Sequence, residues 1–125
     1  MTWFKVDDKL CVHPKTLVAG NAAMGLWVRA GSWAGQNLTD GAIPREVVRI
    51  LGTRTQAQRL VDAGLWVPRG AGFEVHQWAA YQPTRTQVEG EREAWQKRTA
   101  RSRARAAGRP AYISAVPDAH DEDAE

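Results

Sequence analysis

The stretch LTDGAIPREVVRILGTRTQAQRLVDAGLWVPRGAGFEVHQW, residues 38–78, decides the fold. Leu38-Thr39-Asp40-Gly41-Ala42-Ile43 reads as a strand, Pro44 opens a helix, and Gly52-Thr53 breaks it. A second helix runs to Ala63-Gly64, after which Leu65-Trp66-Val67 and Phe73-Glu74-Val75-His76 flank a Gly-rich turn. Pro44 lacks an N–H that the first helical position leaves unused in any case, and Val47, Val48 and Leu51 then fall on one face. Gly52 is expected to close that helix through a positive φ. Thr53 or Thr55 can cap the next helix by accepting from its free N–H groups. Within that helix Ala57, Leu60, Val61 and Gly64 recur at helical spacing and point inward, which turns Arg54, Thr55, Gln56, Gln58, Arg59 and Asp62 outward.

Strand, helix, helix and hairpin in this order are the elements of a winged helix-turn-helix, an α+β fold of about three to four helices with a small β-hairpin wing. The outward residues of the second helix have the chemistry that meets DNA. Arginine pairs with guanine, glutamine pairs with adenine, and threonine serves either base or phosphate. An ordinary solvated helix face is the plain alternative. In Pro68-Arg69-Gly70-Ala71-Gly72 the glycines permit a flexible hairpin tip, and Arg69 there either reaches a phosphate or is merely solvated. Double-stranded DNA is therefore the expected partner.

Outward from this stretch, Ala23, Leu26, Trp27, Ala30 and Trp33/Ala34 mark an amphipathic first core helix over 22–34, in which Trp and Met serve packing. Trp3, Phe4 and Val6 are expected to pack on the body as an extended segment, with a turn at His13-Pro14 and a short helix after it. The expected core is Trp27, Trp33, Leu60, Leu65, Trp66, Val75 and Trp78. The chain has 125 residues, 43% of them hydrophobic and six of them Trp, enough for one compact domain.

Charge divides the chain. Residues 1–88 hold ten Lys/Arg against six Asp/Glu, residues 89–109 seven against three, and residues 110–125 none against five. We therefore divide the chain into a winged-helix domain (1–88), a basic helical extension (89–109) and an acidic, disordered-looking tail (110–125). Arg85 to Ala107 contains no proline and is rich in Glu, Arg and Ala, so it is helix-prone. Pro83 and Thr84 stop the segment before it. Its cations Lys97, Arg98, Arg101, Arg103 and Arg105, spread around the helix, suit phosphates rather than bases. The acidic tail either solubilises the chain or competes with nucleic acid for the basic segment. An isoelectric point near 9.4 accords with a nucleic-acid partner.

A family resemblance rests on Trp3-Phe4-Lys5-Val6-Asp7-Asp8, His13-Pro14-Lys15, Met24-Gly25-Leu26-Trp27, Leu38-Thr39-Asp40-Gly41, Leu60-Val61-Asp62-Ala63-Gly64-Leu65-Trp66 and His76-Gln77-Trp78-Ala79-Ala80-Tyr81-Gln82-Pro83-Thr84. Together they resemble small winged-helix proteins of actinobacterial phages and prophages. The region is also similar to the N-terminal domain of phage replication initiators and DnaD-type replisome organisers. The resemblance covers residues 3–88 and implies a winged-helix fold, DNA binding, and a part in replication initiation or transcription regulation. A basic helical extension is usual in such proteins. Without a second domain, a small accessory or regulatory relative is expected rather than a full initiator.

Other function classes find little support. His13, His76 and His120 are scattered and Cys11 stands alone, so neither the spacing of a zinc site nor an internal disulfide is present. His76 beside Trp78 reads as a packed or capping histidine. Gly70-Ala71-Gly72 lacks the Lys-Ser/Thr ending of a phosphate-binding loop. No nucleophile, base and oxyanion set stands out, so we expect neither an enzyme nor a cofactor. No apolar run approaches a membrane span, and the first residues do not read as a secretory signal, which favours the cytoplasm. The alternative of a different class is a protein-interaction module, in which the winged-helix body docks a replication, host or phage protein. The oligomeric state stays open, a homodimer included.

Overall fold

The computed structural model describes residues 3–108. The chain forms two compact units, Thr2–Arg85 and a second that begins at Thr86. In chain order the first unit has a 3-10 turn at Leu10–Val12, α1 (Pro14–Asn37), β1 (Ala42–Ile43), α2 (Arg45–Leu51), α3 (Arg54–Asp62), β2 (Trp66–Arg69), β3 (Gly72–Val75) and the short α4 (Trp78–Tyr81). The architecture is α+β, with an antiparallel sheet in the order β1-β3-β2.

The helix after His13-Pro14 and the amphipathic helix over 22–34 are two parts of α1. The Nδ1 of His13 accepts from the Lys15 N–H (3.1 Å), which caps the first part. Gly20, at φ +83°, breaks the helix, a conformation that a side chain would strain. Beyond the break Ala23, Leu26, Trp27, Ala30 and Ala34 are buried. The small members of this stripe let neighbouring elements approach closely. The Phe4 ring lies against Gly31, where any Cβ would collide with it.

Residues 38–43 do not form the expected six-residue strand. Leu38 takes a left-handed conformation (φ +53°) at the end of α1, and the Thr39 N–H donates to the Ala34 carbonyl (3.2 Å). Thr39 then closes a tight turn, its hydroxyl donating to the Ala42 carbonyl (2.8 Å) and its carbonyl accepting from the Ala42 N–H (3.2 Å). The backbone groups of 38–40 are thus engaged in ending a helix and turning, and contact with β3 begins only at the Gly41 carbonyl, which accepts from the Val75 N–H (2.9 Å), before Ala42–Ile43 pairs with Phe73–Glu74.

Pro44 sits one position outside α2, with ψ 151°, and its carbonyl accepts from the N–H groups of Val47 and Val48. The positive φ expected at Gly52 is not found: φ is −164°, extended backbone open to any residue. Space is what restricts that position. A Cβ on Gly52 would come within 2.5 Å of Gln56 Oε1 and 2.9 Å of Leu26 Cδ1.

Of the two candidate caps, Thr53 is the one used. Its Oγ1 accepts from the Gln56 N–H (3.1 Å), while Gln56 Oε1 accepts from the Thr53 N–H (3.0 Å), a reciprocal capping box. The other end of α3 closes as a Schellman motif. The Leu65 N–H reaches the Leu60 carbonyl (2.9 Å) and the Gly64 N–H the Val61 carbonyl (3.0 Å), around Gly64 at φ +81°.

Trp66 pairs with Val75, and the ladder continues through Val67, Pro68 and Arg69 to a two-residue turn, Gly70-Ala71. Pro68 and Arg69 therefore belong to β2 and not to a flexible tip. The edge position of β2 accommodates a proline, which has no N–H to donate.

Leu60, Trp66, Ile43 and Leu26 are almost wholly buried, joined in the core by Trp27, Val75 and Trp78, with Trp33 and Leu65 partly buried around them. The N-terminal segment docks differently from expectation. Phe4 alone inserts, 5.0 Å from the Trp27 ring and 5.9 Å from Trp78, while Trp3 is 72% exposed and Val6 is exposed. The segment is held instead by Gln82, a buried polar side chain. Gln82 Oε1 accepts from the Lys5 N–H (2.8 Å) and its Nε2 donates to the Lys5 carbonyl (2.6 Å). Both ends of the amide are satisfied, which removes most of the penalty of burying it.

The second unit contributes α5 (Arg85–Ala107), which opens at the last residue of the first. Arg109, the acidic segment 110–125 and His120 lie outside the described residues.

Candidate nucleic-acid interface

At 100° per residue the core side of α3 centres on Ala57, Leu60 and Val61, so its opposite side carries Thr55, Gln58, Arg59 and Asp62 at spacings of three and four. All four are exposed, as is Arg54 at the edge of that side. The six sequence-predicted residues of this helix therefore differ in role. Gln56 is half-buried and its side chain serves the cap. Gln58 Nε2 donates to Asp62 Oδ1 at 2.8 Å. Because a carboxylate only accepts, this bond fixes which end of the Gln58 amide faces Asp62.

Arg59 has no carboxylate partner among the described residues. It lies at the break in α1, where its Nη1 is 3.9 Å from the position a Cβ on Gly20 would take. Arg59, Thr53 and Thr55 line one wall of an open cleft of about 430 Å³, and Gly20 and Asn21 line the other. Lys15 runs along the far end of α3, its Nζ 3.5 Å from the Gly64 carbonyl. Residue spacing does not mark the Asn21 wall, since the break at Gly20 is visible only as a backbone conformation.

The hairpin cation is not the lone residue expected. Arg69 Nη2 lies 2.6 Å from Glu74 Oε2, diagonally across β2 and β3, though the Arg69 side chain remains 70% exposed. Such an exposed pair contributes about 0–1 kcal/mol, so exchange of Glu74 for a phosphate costs little. Alternation along the strands puts 67, 69, 72 and 74 in reach of one another, a relation hidden while Arg69 is assigned to a loop.

Taken by itself, α5 is a helix whose cations Lys97, Arg98, Arg101, Arg103 and Arg105 are all exposed. They are not spread evenly. At about 100° per residue Lys97, Arg98, Arg101 and Arg105 share one side, and Arg103 stands opposite. Lys97 is partly neutralised by Glu93, 3.2 Å away at i,i−4. The stripe spans about 12 Å of helix at 1.5 Å per residue.

Histidine has no role on this surface. His76 is exposed rather than packed or capping, contributing only its backbone N–H to the Leu65 carbonyl (3.0 Å), whereas His13 is the histidine that caps. Among the described residues no three His, Cys, Asp or Glu are grouped so as to hold a metal ion, and no helix is long and apolar enough to cross a membrane. No family model, curated protein or solved structure matches the chain.

Proposed function

We propose that the protein binds duplex DNA as a winged-helix protein, with α3 in the major groove and the β2–β3 hairpin as the wing against the backbone. The observation that carries this reading is a short, doubly capped helix whose whole outer side is polar and exposed while its inner side packs on the core. Order of elements and a β1-β3-β2 sheet support it. Arg54, Thr55 and Arg59 meet bases and phosphates, and Gln58 lies among them bonded to Asp62. Arg69 and the stripe on α5 add phosphate contacts that carry no sequence information. A phage-type role in replication initiation or transcription regulation, in the cytoplasm, is part of the same proposal. Titration of a fluorescent random duplex at rising salt tests it: affinity falls steeply as released counterions lose their advantage. Absence of binding at low salt refutes it and favours docking of a replication or host protein, a reading to which the 79% exposure of Ile50 on α2 lends weight.

A further inference from the structure

We infer that Asp62, held by Gln58, is a specificity-determining residue of the α3 surface and selects cytosine in the bound DNA, an inference that rests on the DNA-binding reading above. Asp62 is the last residue of α3, where the helix dipole favours a cation and works against a carboxylate. Helix stability alone therefore gives little reason for an acid at this end. Its position gives another. Asp62 follows Gln58 by four residues and Thr55 by seven, so it shares the exposed side of the helix with Arg59. Its Oδ1 accepts from Gln58 Nε2 at 2.8 Å, and its carboxylate has no other partner among the described residues. The Gln58 bond holds the carboxylate in place on the helix and leaves it able to accept from a base edge.

A carboxylate in the major groove needs a donor. The cytosine N4 amino group offers one with only C5–H beside it, whereas the adenine N6 amino group stands next to the N7 lone pair, which repels an anion. Guanine and thymine present acceptors at the corresponding edge. At any other base, and along the phosphates, Asp62 is an unpaired negative charge in a negative field, so it discriminates by repulsion as well as by attraction. Gln58 is the positioning residue, and Arg59 on the same side suits the guanine paired with a neighbouring cytosine.

Selection of bound sites from a randomised duplex pool with the full chain tests this, alongside Asp62→Asn, Gln58→Ala and, as a control, Arg98→Ala. The wild type enriches cytosine at one fixed position. Asp62→Asn loses that preference by about tenfold, within the range of a single good base contact, and binds random duplex more tightly than the wild type with an unchanged salt slope. Gln58→Ala weakens the preference in part, and Arg98→Ala lowers affinity for every sequence while keeping the preference. An Asp62→Asn protein with the same melting temperature and the same cytosine preference overturns the inference while leaving DNA binding standing. A wild type that binds no duplex at low salt overturns both.

Discussion

Helix α3 and helix α5 both expose arginines, but they do so on opposite terms. In α3 two arginines sit among side chains whose places are fixed by a capping box, an amide–carboxylate bond and a Schellman closure. In α5 five cations crowd nine residues, Lys97 to Arg105, and the ion pair to Glu93 is the fixed contact among them. In the proposed DNA complex, position carries base information and charge density carries phosphate affinity. The proposal puts the two on separate elements, so they can be altered one at a time.

The largest effect expected from breaking this contrast lies beneath α3. Leu60 is fully buried at the centre of its inner side, and Leu60→Ala leaves a cavity worth about 2–5 kcal/mol. A thermal melt should show a large loss of stability, and a variant as stable as the parent would misplace the core. Next comes removal of residues 97–125. The remaining chain should still melt cooperatively, keep its site preference, and lose up to about 0.9 of log–log salt slope for each phosphate contact removed. An unchanged slope would show that α5 does not touch DNA. Arg59→Ala should cost about 1–3 kcal/mol at a selected site if the lost contact is bidentate, read by fluorescence anisotropy; a variant that binds the selected site as tightly as the parent would remove Arg59 from the base contacts. Thr53→Ala removes one half of the capping box and should cost about 1 kcal/mol of stability, measured by urea denaturation. The smallest effect belongs to Glu74→Gln. It frees Arg69 from its 2.6 Å partner and should raise duplex affinity slightly while changing stability by about 0–1 kcal/mol. A fall in affinity would count against Arg69 as a phosphate contact.

Where sequence and structure agree, the determinants are local. Thr53 caps α3 and Gly64 ends it, each through its own chemistry, whereas Gln56, expected on the outward face, turns its side chain back to the cap. The tryptophans of the core announce themselves by size and spacing. Disagreement begins where a distant neighbour decides. Gly52 is needed for the approach of Leu26 and not for its φ. Leu38–Gly41 is diverted from strand to turn by the carbonyl of Ala34 and the side chain of Thr39. Phe4 takes the place above Gly31, and Trp3 and Val6 stay exposed. For the candidate site the outward residues of α3 were legible from periodicity, but their division into cap, pair and free cation was not. That division depends on which side chains reach one another. The basic stripe on α5 was legible in composition, and its one-sidedness only after counting angles.

The Gln82 amide joins residues 77 positions apart through its two bonds to Lys5. Beside it Phe4 is the one side chain of the segment that inserts, while Trp3, Lys5 and Val6 stay exposed, so few contacts hold the segment and its detachment belongs to an early step of local opening. The N-terminal segment is consequently a kinetic reporter. The Lys5 amide should exchange with solvent deuterium faster than amides in the centre of α1, at a rate set by detachment of the segment rather than by global unfolding.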